Sequence, residues 1–75
     1  MRLGEYLSLI KDEFISIIVI AEESGIDGVN PGEELFRGAI FEMQNYPLDD
    51  NTFLDELYVD TIDIDANGVF TIYVC

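Results

Sequence analysis

The chain has no histidine, no tryptophan, a single cysteine and only three basic residues in 75 positions. Without histidine, it cannot build a Ser-His-Asp or Cys-His catalytic arrangement or a histidine-ligated zinc site. The single thiol, Cys75, cannot form an intrachain disulfide, and the first residues lack the pattern of a secretory signal, so we expect a reducing, cytoplasmic location. The longest apolar run, Phe14 to Ala21, is interrupted by Ser16 and is too short to cross a membrane.

Negative charge dominates the composition, with 16 Asp and Glu residues against three Lys and Arg and a formal net charge of -13. Such a surface repels nucleic acid and anionic membranes, and it attracts basic proteins or cations. Hydrophobic residues nevertheless make up 49% of the chain and aromatic residues 12%, which is more than a disordered chain carries. We therefore expect one folded domain over residues 1–75.

The stretch from Leu57 to Val74 gives the clearest local prediction, a β-hairpin. Two runs rich in Val, Ile, Tyr, Phe and Thr flank the turn signal Ala66-Asn67-Gly68. A two-residue loop would set charged side chains against apolar ones on the same face. A three-residue loop with Gly68 in the left-handed conformation avoids this conflict. It predicts strands at about Leu57–Asp65 and Val69–Val74, in which Ile62 faces Ile72 and Ile64 faces Phe70.

The N-terminal third carries an apolar pattern with two interpretations. Leu3, Tyr6, Leu7 and Ile10 recur at spacings of three and four, which predicts a helix at about Leu3–Ile10. The same stripe continues far enough for a single helix from Leu3 to Glu23. However, residues 14–21 are mostly β-branched and apolar on every side, which favours a central strand at Phe14–Ala21.

The rest of the chain completes an α+β prediction. Residues 22–34 contain glycines, Asn30-Pro31-Gly32 and five carboxylates, which indicates an irregular acidic connection. A second strand is predicted at Leu35–Glu42, with a bulge at Gly38, and a short helical turn after the break at Pro47. The predicted order is α-β-β-(short α)-β-β, an N-terminal helix packed on a small antiparallel sheet. The residues predicted to lie in its core are Ile18, Ile62, Ile64, Phe70 and Ile72.

A sequence similar to a calcium loop lies within the predicted hairpin. Asp63-x-Asp65-x-Asn67-Gly68-x-Phe70 matches the first eight positions of an EF-hand loop, but the twelfth position, which should supply a bidentate Glu, is Val74. The flanks are also strand-like where an EF-hand has helices. Since a hairpin turn accounts for Asn67 and Gly68 without a metal ion, we predict no metal site and no cofactor.

Neighbouring carboxylates do not indicate catalysis in this chain. Pairs such as Glu22-Glu23 and Asp49-Asp50 arise by chance when acids are so numerous, and adjacent side chains point apart in a strand. No Ser or Cys lies beside a plausible base. We therefore expect that the protein is not an enzyme.

The acids are clustered, with five between Glu22 and Glu34, seven between Asp49 and Asp65, and no Lys or Arg after Arg37. Duplex DNA carries one charge per roughly 1.7 Å of axis, so a domain about 30 Å across would face about 18 phosphates. The acids are thus numerous enough to imitate one side of a duplex. The candidate phosphate surrogates, which would bind Arg and Lys of a partner, are Glu22, Glu23, Asp27, Glu33, Glu34, Asp49, Asp50, Asp55, Glu56, Asp63 and Asp65.

The outline of an apolar N-terminal helix, the Leu35-Phe36-Arg37-Gly38 segment, the break at Pro47 and the terminal hairpin resembles many short acidic proteins of phages and prophages. The resemblance covers the whole chain and implies a bacterial host. Some proteins of that kind inhibit host defence systems by presenting acidic surfaces. Together with the net charge of -13, the two acidic clusters and the lack of a catalytic set, this setting leads to the hypothesis of an inhibitor that blocks a basic, nucleic-acid-binding host protein. Because the acidic surface repels nucleic acid, we expect no direct binding of nucleic acid.

Two other interpretations remain open at the level of the sequence. In the first, the acids serve solubility alone, because charge by itself argues for solubility and association and not for a specific role. In the second, the protein is a structural or regulatory interaction module, monomeric or homodimeric, which binds through its tyrosines or a free strand edge. An exposed, contiguous apolar patch would favour this module over mimicry.

Overall fold

A computed structural model of the chain describes residues 1–22, 30–43, 46–48 and 52–75. The expected α+β class and the order of the elements are confirmed. The elements are helix α1 (Leu3–Ser8), strands β1 (Ser16–Ala21) and β2 (Glu34–Ala39), the short 3₁₀ helices η1 (Ile40–Met43) and η2 (Leu54–Glu56), and strands β3 (Val59–Ile64) and β4 (Phe70–Val74). The rival prediction of one long N-terminal helix is wrong, because residues 16–21 form a strand.

The four strands form one mixed sheet in the order β2-β1-β4-β3. The pairs β1–β2 and β3–β4 are antiparallel, as expected, but the central pair β1–β4 is parallel, so the prediction of a wholly antiparallel sheet was wrong. The path of the chain explains this pairing. β2 ends beside Ser16, η1 and η2 lie over one face of the sheet, and β3 starts at the opposite end, where Val59 pairs with Val74. β3 therefore runs back down the sheet, and β4 returns in the same direction as β1.

The hairpin has the predicted three-residue loop and register. Ile62 pairs with Ile72 and Ile64 with Phe70, while the amide of Asp65 donates to the carbonyl of Val69 across 3.0 Å. Gly68 has a φ of 80°, the left-handed conformation that this loop requires at its last residue.

The core lies on one face of the sheet, beneath α1 and the two 3₁₀ helices. From the strands it takes alternate residues, among them Ile17, Val19, Ile72 and Val74, all fully buried. The helical layer contributes the rest of its fully or nearly fully buried side chains, which are Leu3, Leu7, Ile40, Met43 and Leu54. The protein is thus a two-layer domain whose sheet has a second face that none of the described helical segments covers.

The prediction of a core position is wrong for two residues, Ile18 and Ile64. Ile18 is only half-buried, because it points away from the helical layer while its neighbours Ile17 and Val19 point toward it. Ile64 is 62% exposed, because it ends an edge strand. Ile72 is fully buried as predicted, whereas Ile62 and Phe70 are half-buried and pack at the margin of the core.

The strand boundaries also differ from the prediction. β1 begins at Ser16, because residues 13 and 14 form a turn, and β2 ends at Ala39, because Ile40–Met43 turn into η1 and bury Ile40 and Met43 over the sheet. The irregularity in β2 falls at Leu35, which is skipped between the partners of Val19 and Ile20, and not at Gly38. The short helical turn predicted near Phe53 is present as η2.

Candidate protein-binding surface

Seven of the candidate acids fall within the described residues, and they do not gather on a single face. Three of them, Glu22, Glu34 and Asp63, belong to the face opposite the core, which we call the open face. Asp55 and Glu56 lie in η2, within the helical layer on the other side. The remaining two are exposed at the ends of strands, Glu33 directly before β2 and Asp65 directly after β3. The candidates outside the described residues are Glu23, Asp27, Asp49 and Asp50.

The strand register fixes the layout of the open face. One row across the sheet consists of Glu34, Ile20, Tyr73 and Thr61, and the next of Arg37, Ile18, Thr71 and Asp63. The two central strands therefore supply the apolar and aromatic side chains, and these are half-buried. Both carboxylates of the two rows are on the edge strands, which are about 14 Å apart at ordinary strand spacing.

The end of the open face where β1 stops holds a third carboxylate, Glu22, and a shallow depression. Glu22 follows β1 directly, and its amide donates to the carbonyl of Val74 across 3.0 Å. The depression, of about 170 Å³, lies among Ile20, Glu22, Thr61, Asp63 and Tyr73, with Gly32 at its rim. One side-chain oxygen of Glu22, Oε2, is buried there without a hydrogen-bond partner among the described residues. The concave part of the open face is therefore acidic and partly apolar.

The basic residues do little to neutralise this surface. Arg37 forms an exposed ion pair with Glu34, at 2.6 Å between Nη2 and Oε1, and Glu34 holds the pKa of Arg37 above its ordinary value. Arg2 lies with its guanidinium carbon 5.6 Å from the centre of the Tyr58 ring, at the end of the sheet beside Cys75. The Arg37–Glu34 bridge is the one ion pair among the described residues. Most of the negative charge is therefore uncompensated within the described part of the fold.

Several acids have a structural task that the prediction missed. The third residue of each described helical segment is a Glu, which accepts a hydrogen bond from the backbone amide three residues earlier. The pairs are Arg2 to Glu5 at 3.0 Å, Ala39 to Glu42 at 3.2 Å and Phe53 to Glu56 at 3.0 Å. This is half of a capping box, and the spacing of an acid three residues into an apolar segment was the signal that could have revealed it. Glu56, a candidate surrogate, is thus already engaged in the fold.

Asp65 is engaged in the same way, and this explains the sequence that resembles a calcium loop. Its Oδ1 accepts hydrogen bonds from the amides of Asn67, at 2.8 Å, and Val69, at 3.0 Å. The carboxylate therefore organises the hairpin turn. Among the described residues, no group of three or more Asp, Glu, Cys or His side chains is arranged to hold a metal ion.

A groove of about 520 Å³ lies on the helical side of the domain. Leu7, Ile10, Ile40 and Met43 supply its apolar lining. Its polar lining consists of Gly4, Ser8, Lys11, Glu13 and Asp55. It thus combines an apolar floor with charges of both signs.

Phe14 and Phe41 form an exposed aromatic pair, and each directly follows a groove residue in the sequence, Glu13 and Ile40. The sequence did not reveal this pair, because both rings were predicted to lie in strands. Phe14 is 77% exposed and Phe41 47%, and their ring centres are 5.5 Å apart in an edge-to-face arrangement. The amide of Phe41 donates to the carbonyl of Glu13 across 3.1 Å, which ties the turn before β1 to η1. The pair is a compact apolar feature in an otherwise acidic surface.

Comparison of the chain with protein-family models, with curated proteins and with solved structures gave no match. None of the helices in the described residues has the length and apolar character that a membrane crossing requires.

Proposed function

We propose that the protein is an acidic binding protein that inhibits a basic, nucleic-acid-binding partner by occupying its phosphate sites. The observation that carries the proposal is the open face, where Glu22, Glu34 and Asp63 surround half-buried apolar side chains. The net charge of -13 supports it further, because such a protein is steered toward a basic groove from a distance. The resemblance to short acidic phage proteins suggests a host defence nuclease, in the bacterial cytoplasm, as the partner.

The geometry favours local occupation of a groove over imitation of a long duplex. The domain measures 30 × 23 × 20 Å, and its described acids are distributed over both sides. Fewer carboxylates therefore face any one direction than the roughly 18 phosphates of an equally long duplex. We infer that a few carboxylates replace phosphates, while neighbouring apolar side chains supply the remaining contact area.

The test is capture of partners from a bacterial lysate, followed by competition with duplex DNA. We expect the retained proteins to be basic and nucleic-acid-binding, and to be released both by DNA and by raised salt, because exposed charge pairs are screened. The test variant neutralises the open face with Glu22→Gln, Glu34→Gln and Asp63→Asn. The matched control removes the same charge from the helical side with Glu13→Gln, Asp55→Asn and Glu56→Gln. In this control, the side-chain amide oxygen introduced at position 56 can still accept the capping hydrogen bond of Phe53.

Loss of binding in the first variant but not in the second supports the proposal. Single substitutions should have little effect, since one exposed pair is worth at most about 1 kcal/mol. Equal retention by both variants, at any salt concentration, would contradict the proposal.

A second candidate, an interaction module that binds through an apolar contact, is favoured by the exposed Phe14–Phe41 pair. Aromatic side chains are enriched at the energetic centres of interfaces. A partner that survives neutralisation of the open face and is lost when Phe14 and Phe41 are both replaced by Ala would establish this candidate. If the protein forms a homodimer through these rings, the variant Phe14→Ala/Phe41→Ala should sediment as a monomer where the wild type sediments as a dimer.

A further inference from the structure

The open face has an apolar centre and charged edges, and this layout restricts the shape of what can bind there. The strand order places β1 and β4 in the middle of the sheet. Ile18, Ile20 and Tyr73 therefore form the central strip, and Glu34 and Asp63 lie on opposite edge strands. Side chains of the central strip are only half-buried, so their remaining apolar surface is available to a partner.

The dimensions of the strip fit a helix. Two central strands with ordinary spacing present a band about 10 Å wide, which is the diameter of an α-helix with its side chains. The six residues of β1 extend about 20 Å, the length of roughly 13 helical residues. A bound strand would pair with the edge of β2 or β3 and leave the face uncovered, whereas a helix laid along β1 and β4 covers it and completes a third layer.

The charges on the open face determine the chemistry of that helix. Carboxylates lie on both sides of the strip, and the one cation in the two rows, Arg37, is already paired with Glu34. Among the described residues, the open-face carboxylates without a cationic partner are Asp63, on one edge of the strip, and Glu22, at its end, so the occupant must carry Lys or Arg where its apolar stripe borders these two residues. A second copy of this chain does not fit, because two molecules of charge -13 repel each other and the described helix α1 contains no basic residue.

We propose that the open face binds a basic amphipathic α-helix of the partner, aligned with β1 and β4. The apolar stripe of this helix packs on Ile18, Ile20 and Tyr73, and its basic side chains reach Asp63 and Glu22. The inference rests on the proposed function, since it specifies which element of a basic partner is recognised.

The experiment is an NMR titration of the ¹⁵N-labelled full chain, at low salt, with a synthetic 18-residue peptide of Leu and Lys. In this peptide, Leu occupies one helical stripe and Lys the remaining positions. A control peptide has the same composition with the Leu positions scrambled, so that no stripe forms. We expect the striped peptide to bind at least tenfold more tightly, to become helical by circular dichroism, and to shift the amides of Ile18, Ile20, Thr71 and Tyr73.

The variant Ile18→Thr/Ile20→Thr keeps β-branched residues in β1 and removes their apolar ends. We expect it to bind the striped peptide at least tenfold more weakly, whereas Phe14→Ala/Phe41→Ala should bind it as the wild type does. The shift map of the wild-type chain decides the question even if the Thr variant is unstable. Shifts confined to the groove residues Leu7, Ile10 and Met43 would overturn the inference.

The two peptides also separate this inference from the proposed function. If both bind with equal affinity and shift acidic residues on both sides of the domain, the helix inference is wrong but the preference for a basic partner stands. If neither peptide binds at low salt, both are wrong.

Discussion

Among individual residues, the alternation along β1 and β4 decides which apolar side chains stabilise the fold. Ile17 and Val19 are fully buried, whereas Ile18 between them is not. The composition of β1 is apolar on both faces, so the sequence alone indicated a strand but not which side would be covered. That choice depends on where α1 packs, which is a tertiary contact with no local signal.

The hairpin offers a matched test of this difference, because Ile72 and Ile64 occupy the same face but differ in burial. Ile72→Ala removes a fully buried side chain and should lower the free energy of unfolding by about 2–5 kcal/mol. Ile64→Ala, at a residue that is 62% exposed, should cost at most about 1 kcal/mol, mainly through strand propensity. Urea denaturation of both variants measures the two losses. Equal losses of unfolding free energy would mean that the end of β3 at Ile64 is covered.

The hairpin turn is determined by residues that are close together in the sequence. The three-residue loop was predictable because Gly68 and the alternation of the flanking residues both act within a few positions. The carboxylate of Asp65, which accepts two backbone hydrogen bonds in the turn, explains why an acid precedes Ala66-Asn67-Gly68. Part of what looked like a ligand pattern is therefore turn chemistry.

At the scale of the elements, the pairs that are adjacent in sequence were predictable and the distant pair was not. Both antiparallel pairs join strands that follow each other in the chain. The parallel pair β1–β4 joins residues about 50 positions apart, and nothing in either strand specifies the direction of its neighbour. After η1, whose Ile40 and Met43 are buried over the sheet, the chain enters β3 at the end opposite to that where β2 stops, and the antiparallel β3–β4 pair then gives β4 the direction of β1.

The contact between α1 and η2 depends on a glycine. A Cβ added at Gly4 would lie 3.0 Å from Cβ of Asp55 and 3.3 Å from its carbonyl oxygen. Ala in place of Gly normally stabilises a helix by about 1 kcal/mol. Here we expect Gly4→Ala to destabilise the protein instead, by about 1–2 kcal/mol, because the added methyl group forces the two segments apart.

The control for this prediction is the double variant Gly4→Ala/Asp55→Gly. Removing the Asp55 side chain opens space for the new methyl group, so the cost of Gly4→Ala should be smaller in the Asp55→Gly background than in the wild type. Thermal melts of the four proteins in this cycle give the coupling. An increase in stability for Gly4→Ala alone would show that α1 and η2 are not in this close contact.

For the molecule as a whole, the charge was evident from the composition, but its distribution required the fold. Candidate acids that are close in sequence, such as Asp55 and Asp63, lie on opposite sides of the sheet, because η2 and β3 belong to different layers. Conversely, Glu34 and Asp63 are distant in sequence and share the open face. Sequence clusters of acids were therefore a poor guide to surface clusters.

The last prediction concerns the repulsion among these charges. A net charge of -13 on a domain with extents of 30 × 23 × 20 Å opposes folding, and the one ion pair within the described residues relieves little of it. Added salt screens exposed charges over about 10 Å at 0.1 M, so the melting temperature should rise between low and moderate NaCl concentrations. Relief of ~1 kcal/mol corresponds to a rise of about 4–8 °C for a domain of this size.

The variant Glu22→Gln/Glu34→Gln/Asp63→Asn carries a net charge three units less negative and provides the control. Since it has less repulsion to screen, its melting temperature should depend less steeply on NaCl than that of the wild type. The helical-side variant Glu13→Gln/Asp55→Asn/Glu56→Gln removes the same charge and should show a similar reduction, because screening acts on the whole surface. A melting temperature that is flat or falls with NaCl would mean that the acids are already offset by bound cations, and the electrostatic basis for recruiting a basic partner would then be lost.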